Sequence, residues 1–148
     1  MKHPLILLSF LLAAVNGAPA FAQTTETGPC RTTTAPADPA AGARWNGWGA
    51  SVTNTRFQPQ DQARLSAADI PKLKLKWAFG IANVTQARSQ PTIAGGRLFM
   101  ASDSGVVYAL DPKTGCTYWT FKAQANIRAA ISVDKRAIYF ADTGCRYI

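Results

Sequence analysis

The chain has 148 residues and carries 16 Lys and Arg against 8 Asp and Glu, which gives a formal net charge of +8 at pH 7. Its one histidine is His3, so a chain processed beyond that point cannot contain a Ser-His-Asp triad, a Cys-His pair or a histidine metal site. No C-x-x-C-H motif occurs, which excludes covalent attachment of a c-type haem.

The start of the chain has the composition of an export signal. Lys2 and His3 form a basic start, and residues 5–15 are almost wholly apolar. The pattern Ala20-Phe21-Ala22 follows, which is typical of a cleavage site. The apolar run is too short to cross a bilayer, which needs roughly 20 residues. We therefore predict a signal peptide at residues 1–22 that is cleaved after Ala22, a periplasmic or secreted protein, and no membrane span after cleavage.

The excess of basic residues does not indicate a nucleic-acid partner. Cleavage of the signal removes Lys2 and no acidic residue, so the formal charge falls from +8 to +7. No run of five or six like charges occurs, and export favours an anionic surface or polymer over DNA or RNA. We predict no nucleic-acid partner.

Residues 23–43 are rich in Thr, Pro, Ala and Gly and nearly free of large apolar side chains. Such a segment cannot bury enough surface to order itself, so we predict a disordered linker. Cys30 lies in it, while Cys116 and Cys145 lie far along the chain. In an oxidising compartment two of these cysteines can pair and leave one over, and three unpaired thiols are the alternative.

A short helical turn, a strand and then a run of short strands follow. Residues 66–71 predict the helical turn, and residues 73–79 alternate large apolar with smaller or charged side chains, which predicts a half-buried strand. Four further strands are predicted at residues 91–94, 97–101, 106–110 and 116–121. Tight turns rich in Gly, Asp, Ser and Pro join them. Four antiparallel strands joined in this way make one propeller blade.

A second copy of this unit begins after the first. One constant shift along the chain aligns the pairs Arg97 and Arg136, Asp103 and Asp142, Gly105 and Gly144, and Tyr108 and Tyr147. A slightly longer shift aligns Trp77 with Trp119, each within a similar sequence. Both shifts are roughly 40 residues, and such periods with four strands per unit are typical of propeller blades. The fold predicted is all-β, an incomplete propeller of about two four-stranded blades.

The turn of the first unit carries a family resemblance. Residues 108–115, Tyr-Ala-Leu-Asp-Pro-Lys-Thr-Gly, with Trp119 four positions on, resemble the tryptophan-docking repeat of pyrroloquinoline-quinone (PQQ) dehydrogenases. Residues 45–49, 54–57 and 73–80 resemble the entry segment of the same quinoproteins, and the Gly115-Cys116 pair is similar to the polyvinyl-alcohol-dehydrogenase branch. The resemblance covers about residues 44–147 and implies a PQQ-type propeller over 44–148.

The resemblance assigns structural roles to the repeat. Asp111, Thr114 and Gly115 would fix the hairpin, and Trp119 would pack flat between adjacent blades. The segment at 73–79 would close the ring by pairing with the last blade. Four aspartates fall in predicted turns and are interpreted as turn formers rather than acids or bases: Asp103, Asp111, Asp134 and Asp142.

In the resembled enzymes PQQ and calcium lie in the central channel, near the start of each blade's innermost strand. The corresponding positions here are Arg88, Gln90 and Arg128. Arg88 stands where many members have a glutamate, although a guanidinium can pair with a quinone carboxylate. The alternative is that both arginines line a wet channel and bind nothing. The catalytic Asp and the calcium-binding Asn come from later blades, so we predict no catalytic residue, no metal ligand and no cofactor bound by this chain alone.

The function implied is that of an N-terminal fragment of a periplasmic quinoprotein dehydrogenase. Such enzymes oxidise alcohols or polyvinyl alcohol with PQQ and pass electrons to a cytochrome. Because the sequence stops within the second unit, we expect this short chain to be inactive by itself. Two alternatives stay open: a non-catalytic propeller that acts as a protein-interaction scaffold, and a short module with a polymer-binding groove.

Overall fold

The structure, a computed structural model, describes residues 28–145, and the predicted signal peptide lies outside them. Its elements are a short α-helix α1 (Gln60–Ala63), a 3-10 helix (Ala67–Lys72) and the strands β1 (Thr92–Ala94), β2 (Arg97–Ala101), β3 (Val106–Leu110), β4 (Thr117–Lys122), β5 (Ser132–Val133) and β6 (Ile138–Tyr139). The helical turn predicted from the sequence is confirmed by the 3-10 helix.

The predicted four-stranded unit is confirmed. Strands β1 to β4 form an antiparallel sheet in chain order, so each strand pairs with its sequence neighbours. Gly95 and Gly96 make the two-residue β1–β2 turn with φ values of +57° and +71°, which glycine adopts without strain. Strands β5 and β6 pair as a second antiparallel unit. They lie at the positions that the internal repeat predicts from β1 and β2.

The core lies where the two units meet. Alternate side chains of the first sheet point inward because successive residues of a strand face opposite sides. Phe99, Val107 and Ala109 from that sheet pack in one buried cluster with Ile127 and Ile131. These two isoleucines lie in the segment that leads into β5. A core shared in this way holds neighbouring propeller blades face to face.

The prediction of a strand at residues 73–79 is wrong. The structure has no strand there, and none of the described strands pairs with this segment. Leu75 is 83% exposed as a result. The later part of the segment is anchored by two side chains: the Trp77 Nε1 donates to the Pro112 carbonyl at 3.2 Å, and Phe79 meets the ring of Tyr108 edge-on at a centroid distance of 5.2 Å.

The segment before residue 44 makes specific contacts from Gly28 onward. Cys30 forms a disulfide with Cys116, and the Cys30 backbone N–H donates to the Thr117 carbonyl at 2.9 Å. Further along, the Ala37 N–H donates to the carbonyl of Gly95 at 3.1 Å. Composition predicted a disordered linker because the segment has few large apolar side chains. The contacts observed are backbone hydrogen bonds, a disulfide and an ion pair between Asp38 and Lys135, and none of these requires a large apolar side chain.

Candidate functional site

Two of the three channel positions predicted from the sequence meet at one carboxylate. Arg88 Nη1 lies 3.1 Å from Asp103 Oδ2, and Arg128 Nε lies 3.7 Å from Asp103 Oδ1. The arginine side chains are 45% and 51% exposed, whereas that of Asp103 is 17% exposed. The second guanidinium nitrogen of Arg88 also donates to Gln86 Oε1. Two cations share one anion, so the cluster carries a net charge of +1 at a half-exposed position.

The cluster spans the junction between the two units. Arg88 precedes β1, and Arg128 precedes β5. Hydroxyl groups join the same two segments, since Ser89 Oγ donates to the Ala129 carbonyl at 2.8 Å and Thr92 Oγ1 donates to the Ile131 carbonyl at 2.6 Å. These bonds fix the inner strand of one unit against that of the next.

Gln90, the third predicted position, is half-buried two residues after Arg88. The ion pairs that join the arginines do not include it. The sequence therefore placed all three positions before an inner strand, and the structure brings the two arginines together.

Sequence reasoning missed the role of Asn46. Its amide nitrogen donates to the Val133 carbonyl at 2.8 Å, and its Oδ1 accepts from the Val133 N–H at 2.8 Å. The Asn46 side chain thus pairs with β5 as a peptide group would. The neighbouring Trp45 pairs with Ile93 of β1 through two backbone hydrogen bonds of 2.8 Å. The dipeptide Trp45-Asn46 therefore pairs with the inner strands of both units, and we call it the clasp. The close spacing of Asn46 and Gly47 between two tryptophans was the only signal of this role in the sequence.

Three of the four turn aspartates act as predicted. Oδ1 of each accepts a backbone N–H two residues on, at 2.7 Å for Asp111, 2.7 Å for Asp134 and 2.9 Å for Asp142. The turn position predicted for Asp103 is confirmed, but its side chain does not bond the backbone of the turn. That residue lies in the β2–β3 turn, but the Gly105 N–H donates to the Ser102 carbonyl at 2.9 Å, and the Asp103 carboxylate faces the arginines instead.

Hydrogen bonds dominate the titration of Asp111. Burial raises the pKa of its carboxyl. Hydrogen bonds from the Tyr118 hydroxyl and from the backbone of Thr114 and Lys113 together lower the pKa by more than burial raises it, so the pKa lies below its ordinary value of 3.8. The Tyr118 hydroxyl donates to Oδ2 at 2.8 Å. The carboxylate thus accepts hydrogen bonds from both the backbone of the β3–β4 turn and a side chain of β4.

The tryptophan that docks on this turn is Trp77. A Cβ added to Gly115 would lie 2.7 Å from Trp77 Cδ2, and the Trp77 Nε1 donates to the Pro112 carbonyl at 3.2 Å. Trp119, which was expected to pack flat between blades, is 39% exposed, and its ring centre lies 6.0 Å from that of Phe99 with a tilt of 48°. The ring that docks on this turn therefore comes from the segment that precedes the blade. The packing of Trp119 against a further blade stays a prediction, because the second unit has only two strands in the described residues.

A groove of about 540 Å³ lies beside Trp119, on the side of the second unit. Phe99, Ile138 and the side chains of Arg97 and Lys135 contribute to its walls. Arg97 itself is buried, with its guanidinium carbon 3.4 Å from the centre of the Tyr118 ring and one nitrogen donating to the Thr34 carbonyl. The groove is mixed in character and lies apart from the arginine cluster.

Residues 28–145 are the part of the chain that the structure describes. That part of the chain has no group of three or more His, Cys, Asp or Glu side chains that could hold a metal ion. Nor does it contain a helix of the length and apolarity that crossing a membrane requires.

Comparison with known proteins identifies the family. Residues 45–146 match the PQQ family described as the glucose/ethanol/alcohol dehydrogenase β-propeller domain. The chain belongs to this family. The resemblance read from the repeat at residues 108–119 is therefore confirmed.

Two curated relatives are named polyvinylalcohol dehydrogenase. The protein from Pseudomonas sp is 41% identical over 137 residues, which is 87% of this chain and 21% of the relative. The protein from Sphingopyxis sp. (strain 113P3) is 41% identical over 121 residues, 76% of this chain and 18% of the relative. The chain thus spans about a fifth of the length of these relatives.

A solved structure shows the same fold. The quinohemoprotein alcohol dehydrogenase from Comamonas testosteroni superimposes with a TM-score of 0.59 at 22% identity, over 68% of this chain and 16% of that one. The predicted all-β propeller fold is confirmed, with one four-stranded blade and a two-stranded part of the next in the described residues.

Proposed function

We propose that this chain supplies one blade and part of the next in a periplasmic quinoprotein dehydrogenase that oxidises alcohols or polyvinyl alcohol with PQQ. The observation that carries the proposal is the convergence of Arg88 and Arg128 on Asp103, at the inner strands of two neighbouring units. Two relatives named polyvinylalcohol dehydrogenase support the substrate class. An alcohol or polymer substrate and a cytochrome electron acceptor are part of the same proposal.

The arginine cluster fits the chemistry of PQQ. PQQ carries several carboxylates, and guanidinium groups bind carboxylates through charge-assisted hydrogen bonds. Arg88 and Arg128 would hold one carboxylate, and Gln90 would contribute an amide two residues further on. When bound, PQQ supplies a two-electron acceptor for the hydride of an alcohol. Because both arginines already converge on Asp103 in this chain, we propose, in place of the sequence-based expectation that the chain alone binds no cofactor, that its own residues bind and orient the acidic edge of that group.

Among the described residues, no group of three or more acidic, histidine or cysteine side chains could hold a metal ion. Calcium therefore belongs to the proposal only for the longer relatives. We propose accordingly that the chain alone does not oxidise alcohols.

The Cys30–Cys116 disulfide supports the proposed periplasmic or secreted location, since disulfides persist in oxidising compartments. The predicted signal, cleaved after Ala22, would deliver the chain there. Sequencing of the amino terminus of the protein from a periplasmic extract tests this point, with Gln23 expected as the first residue. A cytoplasmic product that retains Met1 would contradict it.

Binding of PQQ tests the cofactor proposal. Purified chain is titrated with PQQ while tryptophan fluorescence is followed, and the Arg88→Gln/Arg128→Gln variant is compared with Arg136→Gln. Arg136 is an exposed arginine of the β5–β6 turn, so it is a matched control. We expect the double variant to bind about tenfold more weakly or worse, as the loss of a charge-assisted hydrogen bond implies, while Arg136→Gln binds normally. No binding by the wild-type chain would favour the non-catalytic scaffold instead.

A further inference from the structure

Asp103 lies between two cations that belong to different units of the fold. It is part of the β2–β3 turn, with Oδ2 3.1 Å from Arg88 Nη1 and Oδ1 3.7 Å from Arg128 Nε. Oδ1 is buried and accepts no hydrogen bond, so Arg128 is the cation that balances it. The carboxylate is far less exposed than either arginine, and the sheet holds it in place.

The internal repeat shows that this arrangement is particular to Asp103. Its counterpart in the second unit, Asp142, uses Oδ1 to accept the Gly144 N–H at 2.9 Å. The counterpart of Arg88 is Ile127, which pairs with Asp142 through the backbone. At the first position the Gly105 N–H bonds to a backbone carbonyl instead, which turns the Asp103 carboxylate toward the arginines. The same aspartate thus shapes a turn in one unit and binds arginines in the other.

We propose that Asp103 is a positioning residue that holds Arg88 and Arg128 as one cation pair across the junction and fixes the spacing that a carboxylate ligand meets. The inference rests on the proposed function in so far as the ligand is PQQ. A free arginine side chain loses rotamer freedom when it binds a ligand, and an arginine already held loses less. The Asp103 charge also offsets the repulsion between the two guanidinium groups.

We call the contact of Asp103 with Arg88 and Arg128 the clamp. Hydrogen exchange at the arginine side chains tests the clamp without any ligand. The Nη–H signals of Arg88 and the Nε–H signal of Arg128, which are the groups nearest the Asp103 carboxylate, are followed by NMR in the full chain and in Asp103→Asn. We expect exchange at both arginines to accelerate about tenfold in this variant, as the loss of a charge-assisted interaction implies. Asp103→Glu, which keeps the charge, should retain slow exchange. Asp134→Asn makes the same charge change in another turn and should leave both signals as in the wild type.

Three outcomes would overturn the clamp: unchanged exchange at Arg128 in Asp103→Asn, an equal effect of Asp134→Asn, or rapid exchange in the Asp103→Glu variant. Far-UV circular dichroism checks that each variant is folded. If Asp103→Asn does not fold, Arg88→Gln replaces it, because Asp103 would still hold Arg128. Slow exchange at Arg128 in that variant supports the clamp, and rapid exchange contradicts it.

A PQQ titration then links the clamp to binding. We expect Asp103→Asn to bind PQQ about tenfold more weakly, and Asp103→Glu to recover most of that loss. Wild-type affinity in Asp103→Asn would refute a positioning role toward the ligand. If the wild-type chain itself does not bind PQQ, the proposed function fails, whereas the exchange measurement still decides whether Asp103 holds the arginines.

Discussion

Replacement of Gly115 by alanine should destabilise the blade by two separate effects. Gly115 has a φ of +76°, a left-handed conformation that costs an L-residue about 1–2 kcal/mol. The added methyl carbon would also lie 2.7 Å and 2.8 Å from two carbons of the Trp77 ring, closer than such atoms approach in folded proteins. Moving the ring aside weakens its hydrogen bond to Pro112 and its packing, at a cost of about 1–3 kcal/mol. We expect a total loss of roughly 2–5 kcal/mol in the free energy of unfolding.

Gly96→Ala separates the two effects. Gly96 has a similar φ of +71°, but nothing lies within 4 Å of the position of its Cβ. This variant should therefore show the backbone cost alone, about 1–2 kcal/mol. Urea denaturation of both variants, followed by far-UV circular dichroism, gives the comparison. Equal losses for the two variants would refute the docking of Trp77 on the turn, as would an undiminished Gly115→Ala penalty in a Trp77→Leu background.

Further predictions concern the clasp, the disulfide and acid stability. Asn46→Ala removes both hydrogen bonds to the Val133 backbone and should cost about 1–3 kcal/mol in urea denaturation, whereas no measurable loss would contradict the clasp. Joint replacement of Cys30 and Cys116 by alanine removes the disulfide that joins residues 86 positions apart. This should lower the free energy of unfolding by about 2–5 kcal/mol relative to the oxidised wild type. The lowered pKa of Asp111 gives stability that is present above pH 3.8 and is lost as the pH falls through the lower folded-state pKa, so Asp111→Asn should flatten the acid limb of the stability profile.

Local patterns sufficed to predict most of the first blade from the sequence. The strand at 106–110 and the glycine turn at 95–96 were placed correctly because alternation and turn chemistry act between near neighbours. The internal repeat likewise placed β5 and β6. The segment at 73–79 has the same alternation but no strand beside it, because pairing depends on a partner distant in sequence.

The site was only partly predictable. Arg88 and Arg128 were placed by their position before inner strands, but their meeting at Asp103 depends on how two units pack. An aspartate in a Gly-containing turn normally bonds the turn backbone, and Asp142 does so, hence Asp103 gave no separate signal. Asn46 was missed for a similar reason, since its partner Val133 lies 87 residues away.

An NMR titration of the isotopically labelled chain with PQQ tests the central claim most directly. The account predicts that shifts of backbone amide signals concentrate at the junction, around residues 88–92, 103 and 127–131. Shifts centred on the groove beside Trp119, or no saturable shifts at all, would contradict it.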